Sequence, residues 1–379
     1  MMYSTELIHA GTEAVPDTAM PADRALLDIE APEAVKAAIE GMGRTEEATF
    51  SPNGRWLAIA GFALNRINLF SINVTGSGQA RKVAIPGSVI LHSKALRSPH
   101  GIAFIDNEHM LVSNRDGKVQ VFRIPEDALQ SEEIHLRPVR TLQSGFRVKV
   151  KSPGSVECYE LGDGRFRVLV CNNYIHTITS HTGTMPRKVA GGICKLKRIR
   201  NEGILLEKGL SVPDGVCVSP DRQWLAVSVH TRGNVHLYRL DQPLDRNTPP
   251  AIILEGVVCP HGLQFSADGK ILYAADAATP YLHLFCRPGD TWVSLPIPDK
   301  SIRIMSEEQF MKGRLNVEEG GLKGLDVLHR ENILVVTSQF HPLAFYDLDT
   351  LQQLPGLDIK EEVREKSELR DQAMAAYGW

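Results

Sequence analysis

The chain repeats itself. Residues 212–240, VPDGVCVSPDRQWLAVSVHTRGNVHLYRL, read as three short strands separated by turns. Val216 and Val218 share one face of the first strand, Leu225 and Val227 share one face of the second, and Pro, Asp and Gly bound the runs. A period of two between turn residues marks a strand. Such a unit cannot bury both faces of its sheet alone, so it requires neighbours.

Five more copies supply them. EEATF at 46–50 precedes SPNGRWLAIAG and INLF, and PHGIAF at 99–104 precedes HMLVSN and KVQVFRI. PGSVEC at 153–158 precedes FRVLVCNN, PHGLQF at 260–265 precedes SADGKILYAAD and YLHLF, and LKGLDV at 322–327 precedes ENILVVTS and LAFYDL. The residues closing the first strands are Phe50, Phe104, Cys158, Val218, Phe265 and Val327, at steps of 54, 54, 60, 47 and 62. A repeat of ~40–50 residues with four short strands is the propeller period. The expectation is an all-β, six-bladed β-propeller of four-stranded antiparallel blades, with a degenerate seventh blade as the alternative.

Residues 46–350 form the propeller in this reading, 1–45 an N-terminal extension and 351–379 a C-terminal helical tail. In the extension, Pro32 breaks a helical pattern and leaves 33–41 as the helix. The last copy shows three strands, and residues 3–9 are the candidate for its fourth, ring-closing strand. Blade 3 carries an insertion at 172–192 between its second and third strands, blade 5 ends near Pro296, and a second insertion spans 298–321. Residues 359–375 read as a surface helix. The basic runs FRVKVK at 146–151 and KLKRIR at 195–200 lack interleaved aromatics, so they read as guarded sheet edges rather than nucleic-acid platforms.

Net charge is −3, with 43% hydrophobic and 23% charged residues. This leaves no global field to recruit nucleic acid or an acidic membrane. No apolar run reaches the ~18–20 residues of a membrane span, and residues 1–18 lack the pattern of a secretory signal. Cytoplasm is the expected compartment. The six cysteines form no CxxC pair and read as free thiols.

Topology says where a site belongs. In a four-stranded blade the segment leading into the first strand and the end of the second strand meet at one mouth of the channel. The first-strand positions are Glu46, His100, Gly154, Asp214, His261 and Lys323. The second-strand ends add Asn114, Asn172, Asn173, His230, Asp276 and Gln339; the 172–192 insertion adds His176 and His181, and His341 starts a third strand. Imidazoles, carboxylates and an ammonium at one rim suit metal binding or acid–base work. PDG and PHG are equally ordinary turn sequences. The opposite face receives turn residues and no catalytic pairing.

VPDGVCVSPDRQWLAV and the SPNG/SADG turns resemble the six-bladed superfamily of regucalcin and gluconolactonases, strictosidine-synthase-like proteins and NHL-repeat propellers. They are also similar to the YVTN-repeat lactonases, usually seven-bladed. The likeness covers about 45–350. It implies a divalent metal with an Asp in such a PDG turn as ligand, here Asp214, and a Glu before the first inner strand, here Glu46. The family's remaining asparagine ligands are replaced by His100, Gly154 or His261, which shifts a Ca²⁺- or Mg²⁺-type shell toward Zn²⁺, Mn²⁺ or Fe²⁺.

The expected function is a lactonase- or esterase-like hydrolase acting on a small molecule at the channel mouth. The metal set is Glu46, Asp214, His261 and Asp276, and the catalytic set His100, His261 and Lys323. Asn114, Asn172, His176, His230, Gln339 and His341 are the substrate-binding candidates. Two alternatives stand beside it: a non-catalytic propeller binding a small molecule or a protein, and a metal-free lyase or isomerase. Composition and spacing do not fix the oligomeric state.

Overall fold

The computed structural model describes residues 20–76, 78–142, 150–188 and 194–377. They form a six-bladed β-propeller of antiparallel blades. The inner strands are Thr45–Phe50, Pro99–Phe104, Pro153–Glu160, Pro213–Val218, Pro260–Phe265 and Gly324–Leu328.

Turn chemistry explains the first hairpin of blades 1, 4 and 5. Ser51, Ser219 and Ser266 each donate a hydroxyl to an Asx two residues on, and each accepts the N–H of the residue that opens the second strand, Trp56, Trp224 and Ile271. The turn also needs a left-handed residue, supplied by Gly54, Arg222 and Gly269 at φ 61°, 57° and 67°.

Every pair of neighbouring blades encloses its own apolar core. Trp56, Val89 and Met110 lie between blades 1 and 2; Leu237, Phe265 and Phe285 lie between blades 4 and 5. Blade 6 packs directly on blade 1 through Phe50, Leu57, Val335 and Phe345, so the ring closes at six with no seventh blade. Each fully buried Leu, Val or Phe contributes ~1.5–3 kcal/mol. Stability is therefore spread around the circle rather than held at its centre.

The fourth place in blade 6 is taken by the segment around Leu26. Leu27 N–H donates to Phe345 O at 2.8 Å, and Asp347 N–H donates to Ala25 O at 2.8 Å. Residues 3–9, the sequence candidate, lie outside the described residues. The chain then adds Asp28–Glu30 parallel to the outer strand of blade 1 and forms a helix at Glu33–Glu40, which starts directly after Pro32. Val35 and Ile39 of that helix cover the blade 6–blade 1 core.

Two assignments are corrected. Blade 3 has no long insertion between its second and third strands, because only Asn173–Ile175 and His176 separate Arg165–Asn172 from Thr177–Thr184. The excursion follows the third strand instead, since the TITSHT alternation pairs along the whole length of its neighbour. Blade 5 does not end near Pro296: Lys300–Arg303 is its fourth strand. The real insertion follows it and contains the helix Glu307–Gly313, capped by Ser306 and Gln309. The tail is helical over Lys360–Tyr377, and no helix among the described residues is long and apolar enough to cross a membrane.

Candidate functional site

Five of the six inner strands begin with a register shift, in blades 1 to 5. A bulge re-aims the side chain that sits in it. Glu46, His100, Gly154, Asp214 and His261 occupy those bulges, and Lys323 precedes the inner strand of blade 6. The glycines after them are not turn residues. A Cβ on Gly215 would lie 1.9 Å from His261 O, and one on Gly262 would lie 2.5 Å from Lys323 O. At the glycines of blades 2, 4, 5 and 6 the neighbouring inner strand approaches so closely that no side chain fits, whereas blades 1 and 3 carry Glu47 and Ser155 there.

Above this collar, carboxylates and imidazoles alternate in a ring. His261 Nε2 is 3.3 Å from both Glu46 Oε2 and Asp214 Oδ2, and His100 Nε2 is 3.7 Å from Glu46 Oε2 and from Asp214 Oδ1. The imidazoles stack at 5.2 Å between centroids. All four side chains are buried. Lys323 Nζ stands 3.1 Å from Glu46 Oε2 and 2.8 Å from Glu319 Oε2; Arg44 bridges the same two carboxylates at 2.6 and 3.0 Å. On the other side Arg115 Nη2 lies 2.7 Å from His100 Nε2 and 3.4 Å from Asp214 Oδ1, while Asn173 Nδ2 donates to Asp214 at 2.8 Å.

Electrostatics sort the ring into fixed anions and a neutral base. Burial pushes the Glu46 carboxyl up, but Lys323 and Arg44 hold it well below the usual carboxylate range. Asp214 is likewise lowered, burial being overcome by Arg115 and the imidazoles. Burial and Arg115 drive His100 well below 6.5. Arginine can only donate, so His100 Nε2 is the unprotonated nitrogen and accepts from it.

His261 carries the decisive geometry. Its Nδ1 is 3.2 Å from the Lys323 carbonyl, which only accepts, so Nδ1 bears the hydrogen. Nε2 faces two carboxylate oxygens that also only accept. His261 Nε2 has no hydrogen-bond partner, while Glu46 Oε2 is ion-paired with Lys323 Nζ at 3.1 Å. Positive charge belongs between them.

The other candidates are placed elsewhere, except His230, whose Nδ1 lies 3.9 Å from Asp214 Oδ2. Asn114 accepts Arg97 N–H and Asn172 accepts Lys151 N–H, each securing the segment that leads into its inner strand. Asp276 does the same for Val258 and Cys259 and also binds Ala278 N–H and His283, so its oxygens are used up away from the ring. His176 accepts from Val212 N–H at 3.0 Å and His230 N–H donates to Val212 O. Together they hold a β-branched residue at φ 47°, a left-handed strain just before Asp214. His181 lies within the third strand of blade 3, paired with Val168 and Asn201. Gln339 is exposed, and His341 is engaged by Gln309 and Tyr346 in blade 6.

Arg44, Arg115, Glu318 and Glu319 were not signalled by the repeat reading. Arg115, Asn173 and His230 follow the residues that pair with Pro99, Pro153 and Pro213. One position past the second strand is therefore the productive one, a rule the repeats contain once the register is known. Glu318 and Glu319 arrive from the insertion, where no period guides the eye.

A cavity of about 390 Å³ lies away from the ring. It lies below the glycine collar and is lined by Glu47, Ser155, Glu157, Cys217, Gln264 and Asp326. Burial pushes Glu157 up to about 8 and Asp326 up to about 6. Thus the opposite end of the channel is also rich in titratable groups, with His329 and Arg330 on the same wall as these carboxyls, contrary to the sequence reading.

No protein-family model matches the chain, and no curated protein matches it. Solved structures share its fold. Luciferin-regenerating enzyme aligns at a TM-score of 0.49 and 10% identity over 78% of this chain and 85% of that one. The PQQ domain of pyranose dehydrogenase from Coprinopsis cinerea aligns at 0.53 and 12% identity, over 80% and 92%. At 12% identity the latter likeness extends to the fold and not to the chemistry.

Proposed function

We propose that the chain is a hydrolase of small esters or lactones, acting at the channel mouth with a divalent metal held by Glu46, Asp214 and His261 and with His100 beside them as the base. The observation that carries this reading is the opposition of acceptor atoms between His261 Nε2 and the oxygens of Glu46 and Asp214. Glu46, His100 and His261 each offer a ligand atom, all within 4.8 Å of one another. Ligands ~2.0–2.2 Å from one ion sit about 3–3.6 Å apart, close to the sides of the ring. The imidazole of His261 favours Zn²⁺ or Mn²⁺ over the all-oxygen preference of Ca²⁺. Bound there, such an ion supplies Lewis-acid polarisation of a carbonyl and a more acidic water.

The chain's own groups do the rest. Neutral His100 accepts a proton at Nε2 once Arg115 swings to the substrate. Arg44, Arg115 and Lys323 surround the mouth with positive charge and suit a substrate bearing a carboxylate or a developing oxyanion. Phe62, with the Arg44 guanidinium 4.6 Å over its ring, offers an apolar wall beside His100.

A second reading, a metal-free lyase or isomerase, is favoured by one contact: Arg115 already occupies the His100 lone pair at 2.7 Å. Metal analysis of the purified protein, followed by an ester and lactone panel with and without chelator, separates the readings. Stoichiometric metal with chelator-sensitive hydrolysis supports the proposal. Chelator-insensitive turnover moves the chemistry to His100 and His261 alone, and an inert, metal-free protein makes the propeller a binding module.

A further inference from the structure

Beside the ring, three side chains of a different character converge from remote parts of the chain. His230 begins the short turn after the second strand of blade 4, Cys259 precedes the inner strand of blade 5, and Glu318 belongs to the insertion between blades 5 and 6. An imidazole nitrogen, the thiol sulfur and a carboxylate oxygen lie within 4.8 Å of one another, with His230 Nε2 3.3 Å from Glu318 Oε1. We propose that His230, Cys259 and Glu318 form a second, thiolate-containing site for a soft divalent ion of the Zn²⁺ type, adjacent to the ring but with none of its ligands.

The donor set selects the ion. A thiolate with an imidazole and a carboxylate excludes Ca²⁺ and Mg²⁺, which take oxygen, and three protein ligands leave zinc a fourth position. The ligands are held in place before any ion arrives. Cys259 N–H donates to Asp276 Oδ1 and Val258 N–H to Asp276 Oδ2, both at 2.9 Å. From behind, buried Arg370 of the C-terminal helix donates through Nη1 to Val258 O. The His230 backbone N–H is bound to Val212 O, and Glu318 N–H donates to Asn316 Oδ1 at 2.8 Å. Cys259 is fully buried, whereas the Glu318 side chain is 29% exposed, so the ion enters past Glu318.

On metal binding the Cys259 proton leaves to solvent and the sulfur forms the metal bond. His230 Nδ1 is 3.9 Å from Asp214 Oδ2, and the His230 and His261 rings meet edge-on at 6.3 Å, so this ion would tune the neighbouring ring.

The test uses a signal that the ring, with only nitrogen and oxygen donors, does not produce. The full chain, stripped with chelator, is titrated with Cd²⁺ and Co²⁺ while the thiolate-to-metal charge-transfer absorption is recorded. One equivalent should develop the band. Cys259→Ser should abolish it, while Cys217→Ser, in the cavity beneath the collar, and His261→Ala, in the ring, should retain it. No band in the unaltered protein, or a band that survives Cys259→Ser, overturns the proposal. Should Cys259→Ser not fold, as judged by circular dichroism, Glu318→Gln at the exposed edge decides: Cd²⁺ affinity should fall about tenfold or more, and unchanged affinity overturns the site. Loss of the His261→Ala ion alone would bear on the hydrolase reading and leave this one standing.

Discussion

Glu46 Oε2 and His261 Nε2 face each other at 3.3 Å, and His261 Nε2 makes no hydrogen bond. Buried polar atoms are rarely left this way, because an unsatisfied group costs ~1–3 kcal/mol. Their sequence positions are remote, one in blade 1 and the other in blade 5. Only closure of the propeller ring brings them together.

Replacing Glu46 by Gln tests what that relationship is for. The amide can donate to His261 Nε2, which relieves the orphaned atom but removes an anionic ligand. Chelator-sensitive turnover should fall at least ~100-fold while the variant remains folded, as checked by kinetics beside thermal unfolding. Retained turnover would remove Glu46 from the chemistry.

Arg115 sets the acid side of the pH profile. Burial and the Arg115 guanidinium both hold His100 below 6.5, so the base stays neutral and active on the acid side of that value. In Arg115→Gln the guanidinium contribution vanishes and the proton affinity of His100 rises. The acid limb of kcat/KM should then move to higher pH. A limb that stays in place would show that His100 is not the titrating base.

Glu157 makes stability fall as pH rises. Its proton affinity is raised from 4.5 to about 8 by burial, although Cys158 and Val218 N–H groups donate to it. The native state therefore holds a proton that the unfolded chain releases. That contribution is complete below 4.5 and disappears between 4.5 and 8, at up to ~1.4 kcal/mol per pH unit. Urea unfolding at several pH values should show Glu157→Gln losing this slope and exceeding the unaltered protein in stability at pH 8. Parallel curves would contradict the buried, protonated state.

Asp276 is a structural anion. Burial works against its charge, but His283 and the N–H groups of Cys259 and Val258 hold it at about 2. Asp276→Asn places an amide among donors and should cost about 3 kcal/mol at pH 7. Because the native proton affinity is depressed below 3.8, the stabilisation exists above that value and fades as pH falls through about 2. Denaturation at pH 7 and pH 3 should show the difference shrinking, with metal binding at the ring unaltered. A variant of normal stability that lost ring metal would restore Asp276 as a ligand.

The blade repeats were legible because strands and hairpins obey short-range rules. A two-residue period and Ser-x-Asx turns identify each copy without knowledge of its neighbours. Glu46, His100, Asp214, His261 and Lys323 were legible for the same reason, since equivalent positions in equivalent blades must meet at one mouth. The long alternating stretch in blade 3 was misread as an insertion because ITSHTGT interleaves polar residues on both faces, which hides a strand from a purely apolar pattern.

By itself the sequence determined six sheets and the six residues that crown their inner strands, because both follow from local periodicity multiplied by rotation. The tertiary structure alone decided that Ala25–Leu27 completes blade 6, that Arg115 and not Asn114 reaches the ring, and that Glu318 and Glu319 descend upon it. Those outcomes depend on bulge register and on the path of a non-repeating insertion, which are set by packing between distant segments and leave no period to read.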